Sequence, residues 1–415
     1  MRRRSRLEHR PSGFPSALLP ALLLTFLAAA FPLPSVAVAQ QGDGDAIAMG
    51  AWIPNSFEHP GLIDRYAREV GQRPAIVSRY PNWSSPPFQK AALNAIWSRG
   101  AVPLVTWEPW TVKEVGIPLS AIAAGRYDAY IRRSAGEAAS WPHPILLRFA
   151  HEMNGTWYPW GRREGNTPRL YVAAWRHVVR VFRQAGADNV KWVWAPNVNE
   201  QAGPGISWPL IGGGPSHPFP FAAYYPGDRW VDWVGLDGFN WGKGGEWQSF
   251  TAIFGDSYDA VTRLTLRPMI VTETASNEKG GDKAAWIASA LGDELPRFPR
   301  IRALVWFDEG FSGVAARLDS SPSALEAFRN AVSSTRYGLS RSELLATPRN
   351  MPAGPLAPSR AIGDYGAPSP WERLWFEARR RMPWTAVVVV VGALVVLGSI
   401  GLLVGRTQRT QRAKA

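Results

Sequence analysis

The sequence predicts an α/β fold, a (β/α)8 or TIM barrel, over residues 46–335. Three observations carry this expectation. Eight short apolar runs recur along that span, and most are separated by helix-length segments. The runs are apolar on both faces, as strands of a parallel sheet must be when helices cover it. No Gly-rich phosphate loop follows the first run, which weakens the alternative of an open doubly wound sheet.

In chain order, the strand candidates are residues 47–53, 74–79, 102–107, 145–149, 190–195, 230–236, 268–272 and 301–307. Helices are expected between and after them, at 61–70, 88–99, 120–140, 168–185, 249–264, 283–295 and 323–334. The fifth strand is the weak point: a Gly-, Pro- and Trp-rich stretch, 197–228, replaces an evident helix and keeps the doubly wound sheet open as an alternative. Residues 40–337 are ample for one large core.

Both ends carry targeting patterns. Five arginines precede an apolar run near residues 17–31 and an Ala37-Val38-Ala39 site, so residues 1–39 are expected to be a secretory signal peptide; the other reading is an uncleaved N-terminal membrane helix. At the other end, a Pro-, Ser- and Ala-rich linker and juxtamembrane segment (338–382) leads to an expected transmembrane helix (383–405) and a basic tail (406–415). The uncharged stretch 384–404 is long enough, at about 1.5 Å per residue, to span about 30 Å of hydrocarbon. Trp371, Trp375 and Trp384 suit one interface. The expected location is therefore outside the cytoplasm, exported and anchored to the cell membrane through the C-terminal helix.

The net charge of +13 would suit a nucleic-acid partner, but its distribution argues against one. Residues 1–40 hold +4 and residues 338–415 hold +7, which leaves +2 on the predicted barrel. The chain has no cysteine, which excludes disulfides, thiol nucleophiles and Cys-ligated metals. His151-Glu152 does not begin a zinc helix, because position 155 is Gly and not a second histidine. No metal or cofactor is called for, and a monomer is expected.

The chemistry-bearing feature is a pair of strand ends. The run 144–149 delivers His151-Glu152 into an aromatic loop, and the run 269–272 delivers Glu273. In a barrel, reactive residues project from the C-terminal strand ends. Two carboxyls across one bond suit glycoside cleavage, one as acid and one as nucleophile, about 5–5.5 Å apart in a retaining enzyme. Trp157, Tyr158 and Trp160 flank Glu152, so its acid form is favoured by desolvation. Trp107, Trp110, Trp157, Trp160, Trp241 and Trp306 lie near strand ends, where indole faces pack on sugars. For each glutamate the plainer reading is a structural ion pair, for instance with Arg148. Glu108, Asp237, Asp308 and Glu309 are competing strand-end acids.

The strings HEMNGTWYPWG (151–161), WVWAPN (192–197), YYPGDRWVDWVGLDGFNWG (224–242), MIVTETAS (269–276) and VWF (305–307), in this order, resemble glycoside hydrolase family 26. The resemblance covers roughly residues 46–335 and implies a retaining (β/α)8 glycosidase. It implies Glu152 as general acid/base and Glu273 as nucleophile. It also implies His151, Trp157, Trp160 and Trp306 as substrate-binding residues, with Trp306 as a sugar platform; Asn154, Trp110 and Trp241 are expected to bind substrate beside them. Many family members place after strand six a tyrosine that bonds the nucleophile; here Phe239 stands at that position. The family is known best for endo-β-1,4-mannanases. The expected function is thus a retaining endo-β-glycanase with β-mannan as first substrate. Mixed-linkage β-glucan or β-1,3-xylan hydrolysis, exopolysaccharide trimming or transglycosylation, and a silent polysaccharide-binding protein stand as alternatives.

Overall fold

The computed structural model describes residues 46–161, 165–198, 221–242, 247–311 and 313–347. Eight strands are present: β1 (Ala48–Trp52), β2 (Ile76–Arg79), β3 (Val102–Trp107), β4 (Ile145–Phe149), β5 (Val190–Trp194), β6 (Trp233–Asp237), β7 (Met269–Thr274) and β8 (Ile301–Phe307). Each pairs in parallel with the next, and β8 pairs with β1, closing the barrel. The doubly wound alternative is thereby excluded.

Among the described residues ten α-helices accompany the strands: α1 (Gly61–Val70), α2 (Lys90–Trp97), α3 (Leu119–Ala123), α4 (Asp128–Ala139), α5 (Pro168–Gln184), α6 (Phe221–Tyr224), α7 (Phe250–Leu264), α8 (Lys283–Ser289), α9 (Pro322–Val332) and α10 (Arg341–Leu345). In α5, Thr167 caps the N-terminus by accepting from Leu170 N, and Pro168 takes the first turn, where no N–H is needed. Its buried face, Tyr171, Ala174, Trp175, Val178, Val179 and Phe182, recurs at three- and four-residue spacing. Each large side chain on that face contributes about 1.5–3 kcal/mol by leaving water. The single helix expected at 120–140 is two, because Gly125 adopts φ 76° and ends α3 in a left-handed turn.

Alternate strand positions fall into two apolar clusters. Val105 and Trp107 of β3 join the outer cluster under the helices, and Leu104 joins an inner one with Ile76, Leu146, Ile270 and Val305. Two layers separated by the strand pleat are what a barrel filled with side chains requires. Gly235 belongs to the inner wall: a Cβ there would lie 2.5 Å from Ala195 Cβ and 2.6 Å from Thr272 Oγ1. Leu339 and Leu344 are buried in the inner cluster, so residues around α10, which the sequence assigns to the linker, pack against the barrel.

Among the described residues no helix is long and apolar enough to cross a membrane. The expected signal peptide (1–39), the transmembrane helix (383–405) and the tail (406–415) lie outside the described residues.

Candidate active site

Glu152 sits in a tightly constrained turn beyond β4. Ala150 and Glu152 both adopt positive φ, 46° and 50°, a region that costs a non-glycine residue about 1–3 kcal/mol. The neighbouring strand ends hold them there: Ala150 N donates to Trp107 O at 3.1 Å, and Glu152 N donates to Ala195 O at 2.8 Å. Trp157 then folds back over Gly155, where any Cβ would lie 2.4 Å from the indole. Its Nε1 donates to Glu152 Oε2 at 2.5 Å. From the end of β5, Asn197 Nδ2 donates to Glu152 Oε1 at 2.6 Å. Burial, and then the charge of Glu273, push the Glu152 carboxyl up to about 7, while the Asn197 and Trp157 bonds pull the other way.

Glu273 reaches the same mouth by a different device. Leu236 pairs with Val271, but Asp237 pairs with Glu273, so β7 holds one extra residue at Thr272. The bulge brings Thr272 and Glu273 to the same network: Thr272 Oγ1 donates to Asp237 Oδ1 at 2.6 Å, and Glu273 Oε1 accepts from Arg148 Nη2. Tyr80, just past β2, donates its hydroxyl to the same Oε1 at 2.9 Å. Arg148 is fully buried; it donates Nε to Thr106 Oγ1 at 2.9 Å and Nη1 to both Asp237 oxygens at 2.8 Å. Burial alone would pull this guanidinium down, but Asp237 and Glu273 hold it firmly protonated. Glu273 therefore has the ion pair of the plainer reading and a place in the cleft together.

His151 is fully buried, and its Nε2 lies 3.9 Å from Glu273 Oε1. Burial and then Arg148 hold the imidazole well below its usual pKa, so it is neutral and makes no ion pair. Neither ring nitrogen has a hydrogen-bond partner among the described residues.

The other expected residues divide. Trp157 and Trp110 are half-buried beside the two carboxyls Glu152 and Glu108, to which they donate. Trp241 is half-buried against Phe239 and Phe311. Trp160 is almost wholly buried and spends its Nε1 on His151 O at 2.6 Å, so it supports the acid's loop and offers no open face. Asn154 clamps two loops: its Nδ2 donates to Asn197 O at 2.8 Å, and its Oδ1 accepts from Asn197 N at 2.9 Å. Trp306 is fully buried in the outer cluster against Trp286 and Phe328, with Nε1 on Ala316 O at 3.0 Å. It does not face the cleft; Phe307, one position on, packs beside Tyr80 and Trp52 at the mouth. The strand pleat explains the correction, since neighbouring residues point to opposite faces.

Tyr80 lies outside the motifs, and Asn197 and Phe307 each end one of them without an expected role. The hydroxyl absent at Phe239 is supplied from β2 by Tyr80, a contact between residues 193 positions apart. Counting inward positions along β2 and β8 from the buried apolar residues would have found Tyr80 and Phe307. Asn197 was marked only as the last residue of the 192–197 motif.

Residues 130–294 match the model of glycosyl hydrolase family 26. Over 320 residues the chain is 33% identical to Endoglucanase H of Acetivibrio thermocellus, which covers 75% of this chain and 33% of that protein. The chain thus spans about a third of that relative's length. Among solved structures, a family 26 protein of Muricauda sp. superposes with a TM-score of 0.53 at 16% identity, covering 74% of this chain and 90% of the other. The catalytic domain of a family 26 endo-β-1,4-mannanase of Bacillus sp. JAMB-750 does so at 0.51 and 18%, covering 74% and 90%. At those identities the structures bear on the fold alone. The eight-stranded barrel and the sequence matches together support a glycosyl hydrolase family 26 catalytic domain in this chain.

Proposed function

We propose that the protein is a retaining endo-β-glycanase that cleaves polysaccharide by double displacement. The observation that carries this reading is the contrast between two carboxyls at one barrel mouth: Glu152, pushed up to about 7, and Glu273, bonded to Arg148 and Tyr80. Glu273 attacks the anomeric carbon and forms a C–O bond to it as the glycosidic C–O bond breaks. The Glu152 proton passes to the leaving oxygen. Water then gives its proton to Glu152 and its oxygen to the anomeric carbon, and Glu273 is released. Arg148 and Tyr80 orient the nucleophile, and Trp157 and Asn197 hold both oxygens of the acid.

A β-glucan is the first substrate proposed. The relative with 33% identity is named an endoglucanase, whereas the mannanases are related at a level that speaks only for the barrel. β-Mannan, first in the sequence reading, is the comparison substrate. Incubation with barley β-glucan, galactomannan, glucomannan and β-1,3-xylan, with new reducing ends measured, is expected to give release from β-glucan that is lost in Glu152→Ala and Glu273→Ala. Release from mannan alone would reverse the substrate order. Release that survives both substitutions would overturn the two-glutamate mechanism. Products longer than the substrate would identify transfer in place of hydrolysis.

The proposed location is the outer side of the cell membrane, supported by the charge and hydropathy of residues 1–39 and 383–405. Protease added to intact cells should remove the barrel. Protection of the barrel would place it inside.

A further inference from the structure

We infer that Glu108 is a substrate-positioning residue, whose carboxyl hydrogen-bonds a hydroxyl of the sugar bound beside the cleaved bond. The inference rests on the glycanase reading above and names a further residue for it. Along β3, Leu104 lies in the inner cluster, and Thr106 meets Arg148 inside the barrel. The next residue of the same parity is Glu108, at the mouth, where its N–H donates to Pro81 O at 3.1 Å and continues the β2–β3 pairing. Its side chain therefore joins the end of the barrel that holds Glu152 and Glu273.

The bonding of this carboxyl is incomplete for a structural group. Oε2 accepts from Trp110 Nε1 at 3.1 Å, and no described group donates to Oε1. No described cation forms an ion pair with it, although only 6% of the residue is exposed. A buried carboxylate with one hydrogen bond and no counter-charge is costly, so the group holds its proton instead. Burial first, and then Glu273 on β7 and Glu152 beyond β4, push it up to about 8, against the opposing pull of the Trp110 bond and of Arg148. At neutral pH it presents one O–H donor and one open acceptor at the barrel mouth that holds Glu152 and Glu273. That pairing matches a sugar hydroxyl, which both donates and accepts. Neither reacting role needs this group, since the acid and the nucleophile already have their partners.

The test uses the full chain carrying Glu152→Ala, which stops turnover, with binding of a β-glucan tetrasaccharide measured by calorimetry. Adding Glu108→Ala is expected to weaken binding about tenfold, the scale of one hydrogen bond between a buried group and a ligand. Glu108→Gln, which keeps a donor and an acceptor without charge, should recover most of that loss. With Glu152 intact, Glu108→Ala should raise KM more than it lowers kcat. Unchanged binding in a Glu108→Ala protein that unfolds at the parent temperature would overturn the inference. So would Glu108→Gln proving as damaging as Glu108→Ala. If the Glu152→Ala protein binds no β-glycan, the glycanase reading fails, and the role of Glu108 fails with it.

Discussion

The ends of β4 and β7 deliver the same residue type to the same barrel mouth by opposite means. Beyond β4, two residues in left-handed backbone turn Glu152 under neutral donors, an indole and an amide. On β7, a bulge brings Glu273 to a guanidinium and a phenol. Neutral donors in a buried place leave the Glu152 carboxyl able to hold a proton. In the proposed mechanism it is the difference between the two ends, and not the residue itself, that separates an acid from a nucleophile.

The largest effect should come from removing each member of the pair. Glu273→Ala is expected to lower kcat on the order of 10⁴-fold or more on every substrate, because no covalent intermediate forms. Glu152→Ala should cost about 10²–10⁴-fold on polymer but much less on aryl glycosides whose leaving groups need no proton. Kinetics on both substrate types separate the two; equal losses on both would break the assignment of roles.

Next in size is Arg148→Met. It leaves Asp237 and Glu273 buried without their shared cation, which should cost about 3–5 kcal/mol of stability. Urea unfolding measures it, and a loss under 1 kcal/mol would show that the guanidinium is not the centre of the β7 side. A smaller and more specific effect concerns pH. With the Glu152 carboxyl at about 7, its protonated form is lost above that pH, so kcat/KM should fall on the alkaline side with a midpoint near 7. Trp157→Phe removes a bond that lowers this pKa, so the alkaline limb should move to higher pH. A limb that stays in place or moves down would contradict the role of the indole. The smallest change is Ala150→Gly, which relieves a φ of 46° and should alter stability by no more than about 1 kcal/mol in either direction. A loss of several kcal/mol on thermal unfolding would mean that the Ala150 methyl, and not the backbone turn, holds the loop.

Much of this was legible in the sequence because it is local. Apolar runs of strand length, with caps such as Thr167 before Pro168, set the order of elements, and β3, β4 and β8 occupy the expected residues. The division of 120–140 at Gly125 is equally local, yet a single helix was expected there. The sequence also marked Glu152, Glu273 and His151 through motifs of a few residues. Trp306 was misplaced for a local reason too, since a one-residue step along β8 exchanges the inner face for the outer one.

The chain alone thus determined the barrel, the two glutamates and the aromatic loop around the first of them, because each depends on pattern within one segment. Only the tertiary structure decided the electrostatics. Tyr80 meets Glu273 across 193 residues, Arg148 meets Asp237 across 89, and Asn197 meets Glu152 across 45. Such contacts follow from the closure of β8 on β1 and from the extra residue at Thr272 in β7. The physical reason is that a carboxyl's proton affinity is set by the groups packed around it, and in a closed barrel those groups come from other strands.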